Sequence, residues 1–169
     1  MPVSFPLTDI NKNYIQQFNA PEGKRFGVLF SFAKGEKLLN FPVSTHYKVG
    51  EIMAKMHLLT LGLKLERVTY TPEVVLVNSF EQVKKFISIE TDEMAYMESA
   101  QKYLLGEFKK VNENKIRQGA VHLDIWFDNL SIDKDEVTIF DFDFCGNGWL
   151  CYDIAYYILT VAQHRKRRK

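Results

Sequence analysis

Cysteine is nearly absent from this chain: Cys145 and Cys151 are the only two in 169 residues. Their spacing fits neither a zinc site nor a redox pair, so they read as two reduced thiols of a cytoplasmic protein. Long apolar runs are missing as well. No stretch approaches the roughly 20 residues that cross a bilayer, and no basic stretch followed by an apolar run opens the chain. Neither a membrane span nor a secretory leader is expected. Glycine is scarce at the start: none precedes Gly23, so no glycine-rich loop can precede the first strand pair. Internal repeats are absent too.

What is present can fill a core. Apolar residues make up 46% of the chain and aromatic ones 14%, enough for one domain or two small lobes. The net charge of +1 conceals an asymmetry, because the last five residues, Arg165-Lys166-Arg167-Arg168-Lys169, are all basic. Without them, 17 basic residues face 21 acidic ones. An acidic body gives no electrostatic footprint for nucleic acid, and the basic tail reads as a solvated chain end.

Residues 3–7 contain Pro6 and can form at most an edge strand. Two β-prone stretches, 14–18 and 25–32, flank Asn19-Ala20-Pro21-Glu22-Gly23 and predict a hairpin whose second strand is well buried. An isolated hairpin is marginal, and its exposed edge invites self-association. Residues 45–60 then predict a helix with Val49, Ile52, Met53, Met56 and Leu59 on one face, ended by Gly62. His57 beside that stripe reads as a core-edge histidine with a satisfied hydrogen bond. Ser79 and Gln82 have capping-box spacing and open a short helix to residue 87, with Phe80, Val83 and Phe86 or Ile87 inward. Asp92 caps a longer helix to about residue 112, its Met97, Ala100, Leu104 and Phe108 spaced by three and four. Near the end, Gly146-Asn147-Gly148 reads as a turn into a helix that buries Ile154, Ala155, Ile158, Leu159 and Val161. Asp153, in that helix's first turn, reads as a structural cap that also holds the preceding loop.

The most informative stretch is 121–148. It holds His122-x-Asp124-x-x-x-x-Asn129, a charged turn, and Asp141-Phe142-Asp143. A hairpin between the two clusters brings their ends together, placing Asp124 and Asn129 near Asp141 and Asp143. Moving a phosphoryl group from ATP to a hydroxyl needs neutralised phosphate charge and an aimed acceptor. Magnesium takes oxygen ligands and keeps several waters, so one amide oxygen and one carboxylate suffice; Asn129 and Asp141 can supply them. Asp143 can take a second metal or a metal-bound water. Asp124, near the metal but off it, can accept the hydroxyl proton, and His122 is grouped with it as catalytic. A polar turn satisfying its own backbone explains one such cluster but not two across a hairpin.

The spacing and strand context match the catalytic loop and metal aspartate of protein kinases. With Lys48 to His57, Gly148 and Asp153-Ile154-Ala155, the chain resembles the aminoglycoside phosphotransferase and choline kinase group. That resemblance implies an α+β, protein-kinase-like fold. Residues 1–33 would be a remnant of the small lobe, 34–162 a mainly helical large lobe with the catalytic-loop hairpin, and 163–169 the basic tail. It further implies ATP and Mg2+ as cofactors, with Asp124 as catalytic aspartate and Asn129 and Asp141 on the metal. Phe30, Ser31, Phe32 and Ala33 would be the hinge that receives adenine. The acceptor would be a small-molecule hydroxyl of the aminoglycoside, choline or homoserine class. One departure is Trp126, which stands where many relatives carry a histidine.

No strand lysine is followed by a helix that returns a glutamate, and by resemblance the chain starts near the fourth strand of the small lobe. The sequence therefore predicts a partial kinase. The competing reading is a catalytically impaired pseudokinase module that binds nucleotide or a protein partner. A two-metal phosphoesterase is disfavoured by the scarcity of histidines near the hairpin.

Overall fold

Short strand pairs alternate with helices along the chain. The computed structural model describes residues 1–166; Arg167, Arg168 and Lys169 of the basic tail lie outside the described residues. In order the elements are β1 (Pro6–Leu7), β2 (Ile15–Ala20), β3 (Gly23–Phe30), α1 (Val43–Thr60), α2 (Ser79–Val83), α3 (Asp92–Phe108), β4 (Gln118–Val121), β5 (Leu130–Asp133), β6 (Glu136–Ile139), β7 (Gly146–Trp149) and α4 (Cys151–Lys166). The fold is mixed α+β. No helix among the described residues is long and apolar enough to cross a membrane. Two compact units interleave in sequence. The first comprises Met1–Met56, Asp124–Phe144 and the chain from Ile154 on; the second comprises His57–Leu123 and Cys145–Asp153.

In the first unit, β2 and β3 pair antiparallel from Ile15↔Val28 to Ala20↔Gly23, around the two-residue turn Pro21-Glu22. Gly23 closes that turn with φ +124°, a conformation that costs glycine little. β1 adds to the other side of β3, the edge position that its proline requires. The expected burial of the second strand does not hold: Phe26 is 70%, Leu29 68% and Phe30 52% exposed. Apolar composition shows what a strand can bury, but Phe26 and Phe30 on one face of β3 and Leu29 on the other all remain largely exposed.

The core of this unit lies instead between α1 and the β5–β6 hairpin. Pro42 precedes α1, its carbonyl accepting from the Thr45 N–H, and Gly62 follows it with φ +73°. Val49, Ile52, Met53 and Met56 form the buried stripe, whereas Leu59 falls off it at 66% exposed. The stripe clusters with Leu130, Ile132, Val137 and Ile139 of the hairpin, and with Ile125 and Tyr157. Each fully buried aliphatic side chain contributes about 1.5–3 kcal/mol relative to exposure. The hairpin register, Leu130↔Ile139 to Asp133↔Glu136, puts these four on one face by the period of two.

The second unit departs further from expectation. Residues Gly146–Trp149 are no turn but β7, antiparallel to β4 from Gln118↔Trp149 to Val121↔Gly146. A Cβ on Gly146 would lie 2.6 Å from the Val68 carbonyl oxygen, so a close backbone approach, not a bend, demands this glycine. Asn147 then ties the strand to 65–69: its Oδ1 accepts from Leu65 N–H at 2.7 Å, and its Nδ2 donates to the Leu65 carbonyl at 3.0 Å. Ser79 is not a cap, because a π-helical turn over Glu73–Asn78 runs straight into α2. Its hydroxyl donates back to the Val74 carbonyl. α2 ends at Val83, and Phe86 is 87% exposed. The cap of α3 is Thr91, whose Oγ1 accepts from Met94 N–H; Asp92 sits one place inside.

Helix α4 also turns a different face inward from the one expected. Ile154, Ile158 and Leu159 are 44%, 61% and 53% exposed, while Asp153 and Tyr157 are buried.

Candidate active site

Asp153 organises the approach to the motif. It is fully buried, and its carboxylate accepts from the His122 N–H at 3.0 Å and the Leu123 N–H at 2.7 Å. His57 Nε2 lies 2.8 Å from its Oδ2; a carboxylate only accepts, so Nε2 carries the hydrogen. These bonds have a conformational purpose. Leu123 has φ +61°, the left-handed region that costs an L-residue roughly 1–2 kcal/mol. Hydrogen bonds to a charged group contribute about 1.5–3 kcal/mol each, so the two from Asp153 outweigh that strain. The backbone leaves this anchor directly into Asp124. His57 and Asp153 thus match their structural readings. His122, 1% exposed, lines neither of the cavities described below.

In the first unit, Asp124 is half-buried and held at both oxygens. Its Oδ2 accepts from Asn129 Nδ2 at 2.6 Å, and its Oδ1 from the Tyr156 hydroxyl at 2.9 Å. Asn129 Nδ2 donates to the Asp124 carbonyl as well, at 2.9 Å. Both Asn129 bonds use its amide nitrogen, so the amide oxygen is directed elsewhere. The hairpin register continues past Leu130↔Ile139, with the Phe140 N–H donating to the Asn129 carbonyl at 3.2 Å. Asp141 therefore follows at the Asn129 end of the hairpin, as the spacing predicts. It is exposed and has φ +66°, a strained conformation of the kind that gathers at functional sites.

These donors fit magnesium. The set consists of oxygens only, which is what a hard cation selects, and it is sparse. Among the described residues no three His, Cys, Asp or Glu side chains gather to hold a metal. A site of one amide and one or two carboxylates leaves most positions to water and phosphate.

Two cavities flank these residues. The larger, about 570 Å³, is bordered by Phe30, Ser31, Phe32 and Ala33 on one side and by residues 140–143 on the other, with Lys37 and Ser131 among its walls. Ser31 is already committed: its N–H donates to the Phe5 carbonyl at 2.8 Å, and its carbonyl accepts from Ser4 Oγ at 2.6 Å. Ser131 Oγ shares its one hydrogen between the carbonyls of Ala33 and Lys34, at 3.1 and 3.0 Å, pinning residues 33–34 to the β5–β6 hairpin. The smaller cavity, about 280 Å³, is lined by Asp124, Trp126, Phe127, Tyr156, Thr160, Gln163 and His164. Trp126, the departure noted in the sequence, is part of its wall. His164 Nε2 is buried without a hydrogen-bond partner among the described residues.

Sequence reasoning missed Tyr156. The signal was available in the spacing of Tyr156, Thr160 and Gln163 at i, i+4 and i+7, a polar stripe on α4, but the aliphatic residues beside it dominated the reading. Burial, then the bond to Asp124, push the Tyr156 phenol up to about 12.

The fold is kinase-like. The amicoumacin kinase hAmiN, solved in complex with AMP-PNP, Ca2+ and Ami, has a TM-score of 0.73 at 18% identity, over 95% of this chain and 48% of that one. The microcompartment-associated aminopropanol kinase has a TM-score of 0.72 at 20% identity, over 92% and 52%. Residues 16–167 match the phosphotransferase enzyme family, and the chain belongs to that family. Its sequence is also similar to the uncharacterized protein sll1119 of Synechocystis sp., 26% identical over 175 residues, covering 96% of this chain and 46% of that protein. The chain spans about half the length of these relatives.

Proposed function

We propose that the chain carries the nucleotide and acceptor sites of a kinase that moves the γ-phosphoryl group of ATP to the hydroxyl of a small molecule. The observation that supports this best is the cavity of about 570 Å³ between residues 30–33 and 140–143, large enough for a nucleotide. In this reading residues 30–33 are the hinge between a small-lobe segment, 1–33, and a large-lobe segment, 34–162. Adenine lies along the hinge through backbone groups other than the committed pair of Ser31.

Asn129 and Asp141 would hold Mg2+, with Asp143 beside them; bound there, magnesium would neutralise the phosphate charge. Asp124 receives the acceptor's hydroxyl proton as the acceptor oxygen bonds to the γ-phosphorus and the bond to the β–γ bridging oxygen breaks, releasing ADP. Asn129 and Tyr156 hold that carboxylate in place. His122 acts through the backbone of the loop rather than by touching substrate.

Transfer from radiolabelled ATP to a panel of amino alcohols, sugars and aminoglycosides tests the proposal, and magnesium-dependent labelling of at least one acceptor is expected. Nucleotide binding with no transfer to any acceptor would instead support the second reading, a non-catalytic nucleotide-binding module.

A further inference from the structure

The larger cavity carries three charged side chains, Asp141, Asp143 and Lys37. Among the described residues that line it, Lys37 is the only cation. The nearby Lys34 differs: its ammonium is ion-paired with Asp133 at 2.9 Å, and it is not part of the cavity wall. Lys37 has no carboxylate within salt-bridge distance among the described residues. Its ammonium rests over the Phe140 ring, 5.5 Å from the centroid. An exposed aromatic face holds an ammonium weakly, whereas a bond to a phosphate oxygen is charge-assisted at both ends and much stronger. Lys37 is therefore ready to leave the ring for an anion.

The backbone around it is fixed on both sides. Glu36 and Ile132 exchange two backbone hydrogen bonds, at 3.0 and 2.9 Å, and a Cβ on Gly35 would lie 2.4 Å from the Ile132 carbonyl carbon. On the other side, Leu38 packs against the core. The side chain projects from a rigid base, so little backbone ordering opposes its contact with a ligand. Phe140 immediately precedes Asp141, which puts the ammonium on the side of the cavity formed by residues 140–143, where metal and phosphate belong in the proposed function. The two carboxylates there repel a phosphate, and a fixed cation beside them offsets that repulsion.

We infer that Lys37 is a nucleotide-binding residue, its ammonium donating to a phosphate oxygen and so selecting nucleotides over nucleosides. This rests on the reading of the cavity as a nucleotide site.

Calorimetric titration with AMP-PNP and with adenosine, both in the presence of Mg2+, tests it. Adenosine has the same base and ribose and no phosphate. Lys37→Gln should weaken AMP-PNP about tenfold, the size of one lost charge-assisted hydrogen bond, and leave adenosine unchanged. Lys37→Arg, which keeps the charge, should retain most of the affinity for AMP-PNP. Lys34→Gln, which removes a nearby charge outside the cavity, should leave both ligands as in the wild type. Raising the ionic strength should narrow the gap between wild type and Lys37→Gln for AMP-PNP. AMP-PNP affinity unchanged in Lys37→Gln, with adenosine still bound, would overturn the inference and leave the nucleotide site standing. So would an equal loss for both ligands, which would assign Lys37 to the base or ribose. A loss in Lys34→Gln as large as that in Lys37→Gln would reduce the effect to net charge and overturn the inference too. Binding of neither ligand to the wild type would overturn the nucleotide site itself, and this inference with it. Lys37 is exposed, so its variants should fold as the wild type does, which circular dichroism checks.

Discussion

Asp153→Ala is expected to lower the thermal midpoint by about 10 °C or more. The residue is fully buried and accepts from two backbone N–H groups and from His57. Alanine leaves all three donors buried without their acceptor. Each buried donor left without its acceptor costs about 1–3 kcal/mol, and in a domain of this size each kcal/mol moves the midpoint about 2–4 °C. The loss is also local. Without two charge-assisted bonds, Leu123 has nothing to offset its left-handed conformation, and the loop leading to Asp124 relaxes. Thermal unfolding followed by circular dichroism measures the shift; a midpoint within a couple of degrees of the wild type would mean that Asp153 anchors nothing.

Asp124→Ala is expected to act on chemistry and leave the fold in place. The side chain is half-buried, and two of its donors, Asn129 Nδ2 and the Tyr156 hydroxyl, lie beside a cavity where water can replace it. Proton acceptance and aiming by one positioned carboxylate are worth about 10²–10⁴-fold in rate, so transfer to the best acceptor should fall by that factor. Nucleotide affinity should stay near the wild-type value, because the larger cavity does not include Asp124. Transfer undiminished in this variant would remove Asp124 from the mechanism.

Much of the first unit could be read in advance, because local pattern governs it. The period-two alternation of Leu130, Ile132, Val137 and Ile139 set the hairpin register, and that register alone carries Asp141 to the Asn129 end. The α1 stripe of Val49, Ile52, Met53 and Met56 followed from helical spacing. Asp153 was legible because a carboxylate in a helix's first turn has few other purposes. The misreadings share one physical cause: burial depends on partners distant in sequence. Phe26 and Leu29 look like core residues but remain largely exposed. Gly146 looks like a turn residue, yet its reason is the Val68 carbonyl, 2.6 Å from where a Cβ would sit. Tyr156 looks like part of an apolar helix face, and only the folded chain reveals its bond to a carboxylate 32 positions away.

We propose that the cavity between residues 30–33 and 140–143 takes a magnesium–nucleotide complex through Asn129 and Asp141. Calorimetric titration with AMP-PNP, in the presence and absence of Mg2+, tests it most directly. Heat of binding that depends on Mg2+ is expected in the wild type, with the Mg2+-dependent part lost in Asp141→Ala and in Asn129→Ala. Binding that is the same with and without Mg2+, or unchanged in both variants, would contradict it.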